Sequence, residues 1–275
     1  MILKEVVAEL KKQARDATAL QDGLYWLAHC IGKKNTLTQY GALEAPITAE
    51  QLTQFWEGWR AYVGGKPLAY LVGTAAFWDF ELKVTPSVLI PRPDTETLVR
   101  AALALSLPSD AAVLEWGTGS GAIALALKKE RPSWQVMALD LSPEALRVAQ
   151  QNADALQLAV HFVQSQGFHN IPSTAQFEMI ISNPPYVTAL EWAAHPSLAF
   201  EPYVALVAPE EGLADLKDII EQGIRYLKSG GYLLLEHGAT QGQAVAALFA
   251  EAGYQQIVHH KDYAGHVRVT AAQKP

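Results

Sequence analysis

Asn183-Pro184-Pro185-Tyr186 is a short run whose residue types suit one kind of chemistry. It follows the apolar stretch FEMIIS at 177–182, which places it at the carboxyl end of an expected strand. Two prolines remove two N–H donors and fix φ at both positions. What remains is a rigid edge of acceptors, the Asn183 side-chain oxygen and the Pro184 carbonyl. An –NH2 group has two protons. Two fixed acceptors would hold both while aiming the nitrogen lone pair at an electrophile. Tyr186 adds an aromatic wall beside them. Asn-Pro is also an ordinary turn initiator, so the run takes its functional sense from its position.

A second constellation is VLEWGTGSGAIALAL at 113–127, a strand running through glycines into a helix. Gly117, Gly119 and Gly121 let the backbone approach a ligand closely, and the helix start offers unpaired N–H groups. Asp140 ends the next expected strand, where a carboxylate can accept hydrogen bonds from both hydroxyls of a ribose. Gly-x-Gly-x-Gly differs from the Gly-x-Gly-x-x-Gly of dinucleotide enzymes, and alone it could be no more than a tight turn. With the acid in place it predicts a nucleoside cofactor.

Both constellations need a particular set of elements around them. From residue 110 strand-length apolar runs at 112–116, 135–140, 160–164, 177–182 and 231–236 alternate with helical stretches at 121–130 and 143–157. Such alternation predicts a mostly parallel α/β sheet with helices on both faces. Tyr254–His260 and His266–Thr270 read as a closing antiparallel hairpin. Before residue 75 the spacing is helical, and Thr48 with Gln51 forms a capping box opening a helix through Phe55, Trp56 and Trp59. Phe80, Leu82 and Val84 alternate with polar neighbours, then Pro86-Ser87 precedes Val88–Ile90, which predicts a β-hairpin between domains. The expected organisation is a helical domain at 1–75, a hairpin linker at 76–90 and a larger domain at 91–275.

Composition narrows the classes. The 275 residues are 50% hydrophobic and 18% charged, enough apolar material for a substantial core. The formal net charge is −7, with the acidic excess lying after residue 75. Acidity of that kind disfavours nucleic acid as the sole substrate. No apolar run approaches the roughly 18–20 residues of a membrane span, so no membrane association is expected. The start MILKEVVAELKK carries acids among its apolar residues and reads as cytosolic. Cys30 is the single cysteine, which excludes an internal disulfide and a multi-cysteine zinc site. The eight histidines lack ligand-like spacing, so no metal site is expected.

Taken together, the glycine run, Asp140 and Asn183-Pro-Pro-Tyr resemble Rossmann-like, S-adenosylmethionine-dependent class I methyltransferases acting on a planar amide or amine nitrogen. GKPLAYLVG (65–73), FWDFELKVTPSVLIPRPDTE (77–96), FEPYVALVAPEEGL (200–213) and GGYLLLEHG (230–238) narrow the resemblance. With them the chain is similar, over nearly its whole length, to the peptide chain release factor glutamine N5-methyltransferases. Asn-Pro-Pro-Tyr also occurs in DNA adenine methyltransferases; PRPDTE does not.

The resemblance implies that Gly117, Thr118, Gly119, Ser120 and Gly121 wrap the methionine and ribose of the cofactor and that Asp140 holds the ribose. Asn183 and Pro184 would present the target glutamine amide, with Pro185 completing the rigid edge and Tyr186 packing against the substrate. Asn183 would stand at both the cofactor and the substrate. The partner would be the GGQ loop of a class 1 release factor. Residues 1–75 would recognise that partner.

The sequence departs from the family in three places, one of them the spacing of the last hairpin, DYAGHVRVT. Glu115-Trp116 stands where Asp-Leu is usual. Gln166-Gly167, followed by Phe168, stands where an Asp-aromatic pair usually lies near the adenine; Gln166 can still accept from the adenine amino group, and Gly167 is expected to bind the cofactor. Two other readings are a DNA adenine-N6 methyltransferase, which needs a basic groove, and a non-catalytic protein retaining the fold.

Overall fold

The computed structural model describes residues 2–33 and 42–275. Two compact units are present, Met1–Gly73 and Thr74–Pro275.

Among the described residues of the first unit there are four α-helices: α1 (Leu3–Gln13), α2 (Ala17–Cys30), α3 (Ala49–Val63) and α4 (Leu68–Val72). Their apolar faces converge on Leu3, Val6, Leu10, Trp26, Leu27, Phe55 and Trp59. The predicted capping box opens α3, with Thr48 accepting from the Gln51 amide and Gln51 accepting from the Thr48 amide. Trp59 is core, 2% exposed.

The second unit starts with an antiparallel pair, β1 (Thr74–Phe77) and β2 (Phe80–Lys83), in register from Thr74–Lys83 to Phe77–Phe80. The hairpin therefore closes at Trp78-Asp79, earlier than Pro86-Ser87. Trp78 takes φ +57°, the left-handed value that a two-residue hairpin turn needs. Val88–Ile90 is not a strand, because its amides are engaged elsewhere. Val88 donates to the Thr85 carbonyl and Ile90 to the Glu201 carboxylate. Val88 and Leu89 form a wall of the central cavity instead.

Helix α5 (Glu96–Leu103) then leads to β3 (Ala112–Trp116), α6 (Ala122–Glu130), β4 (Gln135–Asp140), α7 (Pro143–Leu156), β5 (His161–Gln164) and β6 (Phe177–Ser182). After β6 come α8 (Ala189–Ala194), the single turn α9 (Pro209–Gly212), α10 (Ala214–Tyr226), β7 (Leu227–Glu236), α11 (Gly242–Glu251), β8 (Gln255–Lys261) and β9 (Val267–Gln273). The sheet order is β5-β4-β3-β6-β7-β9-β8, parallel throughout except for β9, which runs antiparallel between β7 and β8.

The chain winds outward from β3 to β5 and then crosses to β6 on the other side of β3. That reversal makes β3/β6 the switch point of the sheet, where a crevice opens beyond the carboxyl ends of the strands. Trp116 pairs with Ser182 there, so Gly117 and Asn183 leave the sheet side by side. Ser182 Oγ donates to the Trp116 carbonyl at 2.7 Å and pins the two strand ends together.

Candidate active site

The crevice is a cavity of about 490 Å³ lined by the glycine run, Asp140, Ser165–Gly167, Asn183, Pro185 and the wall from Ser87 to Thr95. Its size falls within the usual range for small-molecule sites.

Gly117 and Gly119 take φ of +74° and +55°, and a Cβ built on either would meet nothing within 4 Å. The loop is thus a bare backbone cradle on the cavity wall, which a bound molecule can approach closely. Gly121, also left-handed, opens α6 with no side-chain cap. The Thr118 hydroxyl donates to Glu115 Oε2 at 2.6 Å. Ser120 is 3% exposed, and its carbonyl accepts from Asn152 Nδ2.

Asp140 does more than the sequence suggests. Its Oδ2 accepts from the Gly119 amide at 2.8 Å and its Oδ1 from the Ser142 amide at 2.9 Å. It therefore holds the glycine loop in place, and each oxygen keeps a further lone pair for a ligand. Burial raises its pKa against these bonds.

Glu115 is 1% exposed. Its Oε2 accepts from Thr118 and from the Ala124 amide, while Oε1 has no partner. Burial pushes its pKa up to about 8, opposed by those two bonds and reinforced by Asp140. A buried carboxylate with an unspent oxygen, beside a glycine cradle, fits a ligand carrying a cationic or N–H donor group. Phe168 lies outside the site: it is 2% exposed and stacks on Tyr226 at 4.8 Å. Gln166 and Gly167 do line the cavity, as does Trp116, whose buried indole N–H is unpartnered.

On the opposite wall the structure separates the four residues of the substrate motif. Asn183 and Pro185 line the cavity. Pro184 is buried and Tyr186 half-buried, and neither lines the cavity. Asn183 Nδ2 donates to Thr95 Oγ1 at 3.2 Å, which fixes the amide orientation and leaves Oδ1 free. Tyr186 donates its hydroxyl to Glu236 Oε1 at 3.2 Å. Glu236 is 1% exposed, and burial pushes its pKa up to about 7; Thr95, Tyr186 and Arg268 oppose the shift and Asp94 adds to it. The Tyr186 phenol is raised for the same reason, with the Glu236 charge second.

Further along the wall, Arg92 and the Ile90 amide both bond the buried Glu201 carboxylate, joining the 90–92 and 200–202 segments of the rim. Sequence reasoning did not single out Thr95, Glu236 or the Arg92–Glu201 pair. PRPDTE and LLLEHG contained them, but only the fold gives them partners. Among the described residues no group of three or more potential ligands could hold a metal, and no helix is long and apolar enough to cross a membrane.

Residues 95–198 match the methyltransferase small domain family. The chain is 43% identical to the release factor glutamine methyltransferase of Vibrio cholerae, over 98% of this chain and 95% of that protein. The chain belongs to the release factor glutamine methyltransferase family. Its Escherichia coli member is 41% identical over 98% of this chain and 96% of its own length. A methyltransferase from Pyrococcus furiosus, 19% identical, shares the fold with a TM-score of 0.56 over 79% of this chain and 98% of that one. The architecture is thus that of the Rossmann-like class I methyltransferases, and members of this family use S-adenosylmethionine.

Proposed function

We propose that this protein transfers the methyl group of S-adenosylmethionine to the side-chain N5 of the glutamine in the GGQ loop of a class 1 release factor, in the cytoplasm. One observation carries the reading. Asn183, held by Thr95, keeps its Oδ1 free on the cavity wall, one strand from the glycine cradle.

The cofactor, when bound, supplies an electrophilic sulfonium methyl. Gly117 to Gly121 and Asp140 would hold it, with Glu115 Oε1 accepting from its amino group and Gly167 beside the adenine. Asn183 Oδ1 accepts one proton of the glutamine –NH2, and the Pro184 carbonyl is assigned the other. Tyr186, its hydroxyl anchored on Glu236, stiffens this edge. An amide nitrogen is a poor nucleophile because its lone pair is delocalised. Positioning and the stabilisation of positive charge developing on nitrogen therefore supply most of the rate. Once methylated, the glutamine nitrogen would lose a proton to solvent. The four-helix unit is assigned to recognising the release factor.

Mass spectrometry of a release factor incubated with enzyme and cofactor tests this. A mass gain of one methylene on a single glutamine is expected, and no gain would refute the reading. Methyl transfer to duplex DNA in place of the protein would favour a DNA adenine methyltransferase.

A further inference from the structure

Trp116 ends β3 at the crevice, and the transfer as described gives it no task. Of the seven tryptophans it alone lines the cavity, and among the described residues it is the only aromatic side chain there. Side chains alternate along a strand. Glu115 points toward α6, where it accepts from the Ala124 amide. Leu114 and Trp116 point the other way, onto the core that Phe168, Leu216 and Ile219 help to form. Trp116 is half-buried, yet its Nε1 is covered and has no hydrogen-bond partner. What the indole can offer the cavity is therefore carbon, a flat apolar π surface. Its N–H edge reaches the loop after β5, since a Cβ built on Gly167 would stand 3.9 Å from Nε1. Gly167 carries no side chain to compete for that space. Two positions where the sequence departs from its family, 116 and 167, are thus neighbours in the fold.

We infer that Trp116 is the wall against which the base of the nucleoside cofactor packs, with the bare backbone of Gly167 at its edge. The inference rests on the S-adenosylmethionine reading. The glycine cradle leaves β3, Asp140 ends β4 and Ser165–Gly167 follow β5, and these three strands are consecutive in the sheet. A ribose held at Asp140 carries its sulfur on one side, toward the cradle, and its base on the other. The base therefore extends past Asp140 toward the end of β5. Neighbouring strands lie about 4.8 Å apart, so the indole, rooted on β3 and reaching Gly167, bridges roughly 10 Å beneath that path. Every base has a π face, and stacking on an aromatic ring adds affinity without reading base identity. Trp116 thus supplies affinity, and recognition of the base falls to polar groups such as Gln166, which lines the same wall.

Titration of the full chain with S-adenosylhomocysteine, followed by calorimetry and by tryptophan emission, tests this. A purine stacked on an indole quenches its emission, so wild-type fluorescence should fall as the ligand saturates. Trp116→Phe keeps a ring and should bind within about threefold of wild type. Its ligand-induced quench should nevertheless vanish, because no other tryptophan lines the cavity. Trp116→Leu fills space without a π face and should bind about tenfold to a hundredfold more weakly, with KM for S-adenosylmethionine rising in step. No change of emission in the wild type, an undiminished quench in Trp116→Phe, or wild-type affinity in folded Trp116→Leu would overturn the inference. The wild-type and phenylalanine titrations decide it even if the leucine variant does not fold. A wild-type protein that binds no S-adenosylhomocysteine would overturn the cofactor reading and this inference together. Binding and quenching as expected, without methylation of a release factor, would uphold the inference and refute the transfer reading instead.

Discussion

The Gly119 amide donates to Asp140 Oδ2 at 2.8 Å, tying the middle of the glycine loop on β3 to the end of β4. One carboxylate thus shapes the loop and lines the cavity. Asp140→Ala removes both contributions and should weaken cofactor binding about tenfold to a hundredfold, the scale of losing charge-assisted hydrogen bonds. Asp140→Asn keeps one acceptor oxygen, so it should fall between wild type and alanine. Isothermal calorimetry with S-adenosylmethionine checks both, and unchanged affinity in the alanine variant would take Asp140 out of the ribose site.

Asn183→Ala should lower turnover about 10²–10³-fold, the usual cost of deleting one preorganised polar contact in a desolvated site. Cofactor affinity and melting temperature should move little, since Oδ1 is the atom assigned to the substrate amide. Asn183→Asp still offers an acceptor, and Thr95 can reverse its hydroxyl to donate, so it should retain more activity than alanine. Turnover and melting measured side by side decide this. Near-normal turnover in folded Asn183→Ala would rule out the mechanism.

Stability should carry the signature of Glu115. Its folded pKa of about 8 stands above the model-compound value of 4.5. The stability linked to it is therefore full below pH 4.5 and lost as pH rises through about 8. Glu115→Gln removes the titration, so its melting temperature should exceed that of the wild type at pH 8 and not at pH 4.5. Parallel melting curves across that range would contradict the buried, rising carboxyl.

Gly212 has φ +80°, and a Cβ there would sit 2.1 Å from the Tyr186 carbonyl oxygen. Both the backbone conformation and the contact forbid a side chain. Gly212→Ala should cost at least about 2 kcal/mol and lower the melting temperature by several degrees. Because the clash falls on Tyr186, residual turnover per folded molecule should also drop. A variant with unchanged melting and turnover would mean the turn relaxes freely.

An open groove on the helical unit is lined in part by Glu50, Glu57, Lys66 and Leu71. If this unit recognises the release factor, Glu57→Lys should raise KM for the intact protein while leaving a short glutamine peptide unaffected. Steady-state kinetics on the two substrates separates these effects, and equal changes on both would refute the division of labour.

The sequence by itself determined the parts whose physics is local. Apolar runs of strand length, the helical spacing before residue 75 and the capping box at Thr48–Gln51 announced their elements through periodicity and nearby hydrogen bonds. The glycine run and Asn183-Pro-Pro-Tyr announced themselves through backbone constraints that only glycine and proline impose. Tertiary structure decided the partners. Val88–Ile90 has the composition of a strand, but Glu201, 111 residues from Ile90, takes the Ile90 amide, and Val88 and Leu89 line the cavity. Phe168 is drawn into the core by stacking on Tyr226 of α10. Thr95 and Glu236 are unremarkable letters until residues 88 and 50 positions away, Asn183 and Tyr186, bond to them. Such bonds join strand ends brought together by the sheet order, and no local pattern encodes that order. The residues proposed for the reaction were legible because they are conformationally unusual; those that hold them were not, because their contacts exist only across the fold.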